Sequence, residues 1–193
     1  MTSPNVDRLP PGQYEARGWP VLNFGSTPQV DPRTQRVRAW GAIDSPTEWT
    51  VDQFKALPTA SVTADFHCVT KFSVFDNDWY GVAAGTVFAK LQPTADASHV
   101  MFHGAEGYTT NVDLDAVLDD DVLFAWRRNG QDLTIQHGWP LRLILPQRYA
   151  WKSCKWLTGI EVMTADRRGF WEERGYHNHA DPFTEQRYSY QEG

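Results

Sequence analysis

The chain has 193 residues, a formal net charge of −6 and a pI near 5.4, enough polypeptide for one well-buried core but hardly for two. So acidic a chain lacks the broad basic face that nucleic acid requires, and any anion site in it has to be local. Two cysteines exclude a disulfide framework; with no basic-then-apolar start and no apolar run of about 18 residues, the expectation is a reduced, cytoplasmic protein without a membrane span.

Residues 1–33 carry Pro4, Pro10, Pro11, Pro20, Pro28 and Pro32, which argues against regular structure and for an extended arm. Tyr14, Trp19, Val21, Leu22 and Phe24 are too apolar for a solvated tail, so the arm should pack on the domain. Arg36–Ile43 alternates polar and apolar and reads as a half-buried strand. Thr50 and Gln53 have capping-box spacing, Val51, Phe54 and Leu57 share a face, and Pro58 stops the helix they imply.

Ala60–Phe66 reads as a strand delivering Cys68 to its end, followed by a polar, aromatic-studded loop through Asp76-Asn77-Asp78-Trp79-Tyr80. A short helix is expected over Thr86–Leu91, a buried strand over His99–Gly104, a turn-rich stretch over Gly107–Asn111 and a helical turn over Asp113–Leu118. Val122–Trp126 and Gln131–Ile135 flank Asn129-Gly130 as a hairpin. Leu141–Leu145 and Trp156–Val162 are strands bracketing a basic, aromatic loop. Without a βαβ rhythm or a glycine-rich nucleotide loop, the fold class is α+β with mixed or antiparallel sheets and short helices.

Three constellations could carry chemistry. Cys68 is either a small buried hydrophobe or a thiolate ligand for a soft transition metal; a dyad with His67 is disfavoured because neighbours on a strand face opposite ways. Arg142, Arg148, Lys152 and Lys155, with Ser153 among them, form either a solvated basic loop or a phosphate site. His177-Asn178-His179-Ala180-Asp181 has the letters of a zinc site and equally those of a polar surface segment.

Phe66-His67-Cys68-Val69-Thr70, Trp79-Tyr80-Gly81-Val82, Gly107-Tyr108-Thr109-Thr110-Asn111, His137-Gly138-Trp139-Pro140-Leu141-Arg142, Lys152-Ser153-Cys154-Lys155-Trp156 and Gly169–Tyr176 occur in the order seen in the sulfite-oxidase-type molybdopterin-dependent oxidoreductases, which the chain resembles over roughly residues 10–190. The resemblance implies one oxidoreductase domain over 1–193 in the sulfite oxidase-type molybdopterin-binding fold, with molybdenum-molybdopterin as cofactor. Cys68 corresponds to the metal-binding cysteine; Tyr108, with His67 or His103, is the candidate for the substrate-facing side, because a Gly-Tyr-Thr-Thr-Asn turn can present donors to an anionic or sulfoxide oxygen. His137 and Arg142 fall where the family contacts the cofactor, and Ser153, Cys154 and Lys155 match the segment that holds its terminal phosphate; Lys152 and His103 are further cofactor-binding candidates. Tyr14 and Glu15 resemble a pterin-contacting pair of the single-domain methionine-sulfoxide-reducing branch. The implied activity is two-electron oxygen-atom transfer on a small-molecule or sulfoxide-type substrate, with a separate electron-transfer partner. A catalytically silent pterin carrier is the alternative. The chain departs from the family at Phe72, where tryptophan is usual, at Gln147, where glycine is common, and at Pro11, near the reductases' asparagine.

Overall fold

The computed structural model describes residues 8–193. Its frame is two mixed sheets with short helices at their margins, the α+β class expected from the sequence. In chain order the elements are β1 (Tyr14–Glu15), β2 (Arg36–Gly41), β3 (Thr47–Thr50), α1 (Val51–Lys55), β4 (Ala60–His67), β5 (Phe72–Ala83), α2 (Ala84–Leu91), β6 (His99–Gly104), β7 (Thr109–Asp113), α3 (Leu114–Val117), β8 (Leu123–Arg128), β9 (Gln131–Asp132), β10 (Arg142–Ile144) and β11 (Leu157–Met163). The five-stranded sheet runs β3-β2-β11-β6-β7, with β11 parallel to β2 and antiparallel to β6. In the six-stranded sheet β4 takes one edge of β5, and β1 and β8 share the other; β10 and β9 continue from β8.

The main core lies between the sheets: Val37 and Ala39 of β2, Val100 and Phe102 of β6 and Ile160 and Val162 of β11 meet Phe124 of β8 and Leu143 of β10. A second cluster covers the far face of the six-stranded sheet, where Phe66, Phe72, Val74 and Trp79 are roofed by Ala16 and Trp19 of the arm. Trp19 packs edge-on to Phe66 and Trp79 at 5.6 and 5.3 Å and anchors the described part of the arm there, whereas Tyr14, Val21, Leu22 and Phe24, of which the same packing is expected from sequence, are exposed.

The capping box at Thr50 is formed on both sides, the Thr50 hydroxyl accepting from Gln53 N and Gln53 Oε1 accepting from Thr50 N. The largest correction concerns the stretch after Cys68. What reads as a polar loop is β5, a 12-residue strand at the heart of its sheet. Asp76 takes a left-handed φ of 53° opposite a register shift in β4 between Ala64 and Phe66. That bulge consumes the polar groups: Asn77 Nδ2 donates to the Ala64 and Val74 carbonyls and its Oδ1 accepts from Arg128, while Asp65 Oδ1 accepts from Asp76 N. Thr109–Asp113 is likewise a strand paired to β6, and the second strand of the hairpin stops at Asp132, giving way to a 3₁₀ turn over Ile135–His137. Among the described residues no helix is long and apolar enough to cross a membrane.

Candidate functional site

Cys68 follows the last residue of β4 and turns the chain sharply into β5. Its N–H donates to the Phe72 carbonyl at 2.8 Å, Lys71 N–H returns to the Cys68 carbonyl at 2.9 Å, and Lys71 adopts a left-handed φ of 76°. The arm clamps the same turn through Gln13 Nε2 to the Cys68 carbonyl at 3.1 Å. Cys68 is only 7% exposed, and its side chain lines a cavity of about 490 Å³.

Arg142, at the start of β10, opens onto the same cavity. Its guanidinium, 1% exposed, donates to the carbonyls of His137, Ser153 and Leu143 and lies against Trp19 and Phe66. Among the described residues no carboxylate lies within salt-bridge reach of it. Burial pulls its pKa down to about 9, the mark of a buried cation without a counter-charge. Lys155 Nζ, also on the cavity, is spent on neutral oxygens: the Leu22 and Gln136 carbonyls and Asn23 Oδ1. Burial first, then the Arg142 charge, pull Lys155 down to about 7. A buried guanidinium with only neutral partners, beside a partly buried amine that an incoming negative charge would keep protonated, makes a site for an anion, because an unpaired buried charge is costly and a negative group removes that cost. Glu106, exposed at the rim, is the one carboxylate among the lining residues.

Lys155 gives a pH signature. The unfolded lysine, at its ordinary 10.5, holds its proton where the folded one has released it, so stability of the cofactor-free protein rises with pH from about 7 toward 10.5. Lys155→Met is expected to flatten that rise, read as Tm across this range; equal slopes in both proteins would refute it.

The remaining expected residues divide between cavity and elsewhere. His137 lines the cavity, stacked on Trp19 at 3.9 Å with Nε2 on the Trp19 carbonyl; burial lowers its pKa to about 4, so the ring is neutral. Ser153 lines it with Oγ accepting from Leu145 N, which leaves its own proton to donate. Tyr108 lines it with its hydroxyl donating to the Trp151 carbonyl, and burial raises its pKa well above the ordinary value.

The other six do not line the cavity. His67 points to the opposite side of β4, on Ser73 Oγ at 2.8 Å and against Phe75 and Phe183. His103 packs on Trp40 and meets Glu161 Oε2 at 3.0 Å. Lys152 is buried with Nζ 2.7 Å from Glu172 and on the Asn111 carbonyl; it acts on the site indirectly, since Glu172 also accepts from Nε1 of Trp151, a cavity wall. Cys154 is wholly buried in the main core. Tyr14 and Glu15 are exposed on β1, although Gln13 beside them reaches the Cys68 turn. The zinc reading fails on geometry: His177 Nδ1 accepts from the N–H groups of His179 and Ala180, and His179 pairs with Asp113. Among the described residues no group of three or more His, Cys, Asp or Glu could hold a metal ion. Gln13, Trp19 and Asn23 are site residues that motif reasoning did not single out; Trp19 was signalled only by its place in an arm too apolar to be free.

The oxidoreductase molybdopterin binding domain family matches residues 24–171. The chain is 39% identical to YuiH, an uncharacterized oxidoreductase of Bacillus subtilis, over 95% of this chain and 93% of that one. It is 28% identical to the mitochondrial sulfite oxidase of Drosophila melanogaster over 81% of this chain, and spans only 32% of that protein. The sulfane dehydrogenase SoxCD of Paracoccus pantotrophus shares the fold, with a TM-score of 0.66 at 18% identity over 72% of this chain and 40% of that one. A buried thiol, an uncompensated buried guanidinium and the Lys155 amine on one cavity suit a ligand that offers both a soft metal and an anionic end. The chain belongs to the oxidoreductase molybdopterin binding domain family, and is a molybdopterin-dependent oxidoreductase of sulfite oxidase type with molybdenum-molybdopterin as its cofactor.

Proposed function

We propose that this chain, acting as one domain, catalyses two-electron oxygen-atom transfer on a small-molecule or sulfoxide-type substrate, and exchanges its electrons with a separate protein partner in the cytoplasm. When bound, the cofactor's metal supplies the two-electron chemistry. One observation carries the reading: Cys68 and the uncompensated Arg142 line the same cavity.

In this reading Cys68 holds the metal as thiolate. Burial pushes the thiol up, while hydrogen bonds from Thr70 and the charges of Lys155 and Arg187 oppose that rise. Arg142 and Lys155 hold the anionic end, helped by the Ser153 hydroxyl. Neutral His137, braced on Trp19, fixes the arm as a wall of the cavity. Tyr108 keeps its proton, which it donates to the Trp151 carbonyl, and so braces that wall of the cavity. Aromatic side chains, among them Phe66, Trp151, Phe170 and Trp171, exclude water around these groups.

The test is made on protein expressed in a host that makes the cofactor. The expected result is near-stoichiometric molybdenum, a fluorescent oxidised pterin, and oxygen-atom transfer with artificial donors or acceptors. Protein without metal would refute the reading, and a loaded but redox-silent metal would replace it with a pterin carrier.

A further inference from the structure

The Cys68 sulfur is met by a hydroxyl two residues further along the chain. Thr70 Oγ1 donates to Sγ at 3.2 Å. The turn makes this possible: with Lys71 left-handed, residues 69 and 70 fold back over the cysteine instead of continuing the strand. The turn is clamped from both sides, by Gln13 on the Cys68 carbonyl and by Arg187 Nη1 on the Val69 carbonyl at 2.7 Å. Cys68 belongs to an apolar cluster with Phe66, Phe72 and Val74. Thr70 also lines the cavity, so the bond sits where the cofactor must come.

We propose that Thr70 is a positioning residue that sets the reduction potential of the metal held by Cys68. The inference rests on the reading of Cys68 as the metal ligand. A hydrogen bond to a ligating sulfur draws electron density from it, weakens its donation and favours the reduced metal; hydrogen bonds to sulfur tune other metal–thiolate centres in this way. The donor here is a side-chain hydroxyl, so it can be removed without disturbing the turn, whose own bonds are all backbone-accepted.

Thr70→Val keeps the branched shape and loses the donor; Thr70→Ser keeps the donor. In the metal-loaded enzyme, Thr70→Val is expected to move the potential to more negative values. At the wild-type midpoint the oxidised-to-reduced ratio should rise about threefold or more, the effect of one net hydrogen bond. Thr70→Ser should match wild type. Equal potentials in all three proteins, or a serine variant displaced as far as the valine variant, would overturn the proposal while leaving the cofactor reading standing. A wild-type chain that loads no molybdenum would instead overturn the cofactor reading, and this inference with it.

Discussion

Replacing Cys68 by serine is expected to abolish turnover and metal retention while the fold survives. The bonds that shape the turn around Cys68 are made by its backbone: N–H to Phe72, carbonyl from Lys71 N–H and from Gln13 Nε2. Serine keeps all three and leaves Thr70 a hydroxyl to bond. The stability change should therefore stay within about 1 kcal/mol, the scale of one net hydrogen bond. The metal chemistry has no such tolerance. A serine hydroxyl does not ionise near neutral pH and offers hard oxygen where a soft metal takes sulfur, and even outer-shell changes at metal sites cost roughly 10–100-fold. We expect at least that loss in molybdenum per chain and in oxygen-atom transfer, measured beside an unchanged circular-dichroism spectrum and, between the cofactor-free proteins, a near-equal Tm. A variant that keeps both metal and turnover would remove Cys68 from its role.

How much of this was readable from sequence depends on where the information sits. The capping box at Thr50 and β6 follow from local spacing and composition, and were legible; of the arm's apolar residues, Trp19 packs while Tyr14, Val21, Leu22 and Phe24 stay exposed. The central strand β5 was not, because Asp76, Asn77 and Asp78 look like loop residues. They stay in a sheet only because a bulge in β4 brings the Ala64 carbonyl and Asp65 carboxylate to meet them, a long-range arrangement with no local signature. The site divides in the same way. Motif order marked Cys68, His137, Arg142, Ser153 and Lys155, and all five line the cavity. It also marked Lys152, whose partner Glu172 comes from a distant segment and draws the ammonium away from the cavity. Sequence proximity in Lys152-Ser153-Cys154-Lys155 cannot show which side chains turn inward. The 3₁₀ turn over Ala150–Lys152 and the irregular backbone at Ser153 decide that.

Arg142→Met should separate the demands of the cofactor from those of the fold. In the cofactor-free protein the guanidinium is a buried cation bonded only to neutral carbonyls, so two effects of substitution oppose each other. Methionine removes the desolvated charge and fills most of the same volume, which stabilises. It also strips donors from the His137, Leu143 and Ser153 carbonyls, which destabilises by about 1–3 kcal/mol for any left unsatisfied. The net change in the free protein is therefore expected to be small. With an anionic ligand in the cavity nothing offsets the loss, since a charge-assisted hydrogen bond contributes about 1.5–3 kcal/mol, equivalent to roughly 10–100-fold in affinity. The expected result is protein with near-normal Tm when free of cofactor but an order of magnitude less pterin per chain on purification. Cofactor content equal to wild type would show that the buried charge serves the fold and not the ligand. A large fall in Tm of the cofactor-free protein would show that the three carbonyl bonds, rather than the charge, are what Arg142 is kept for.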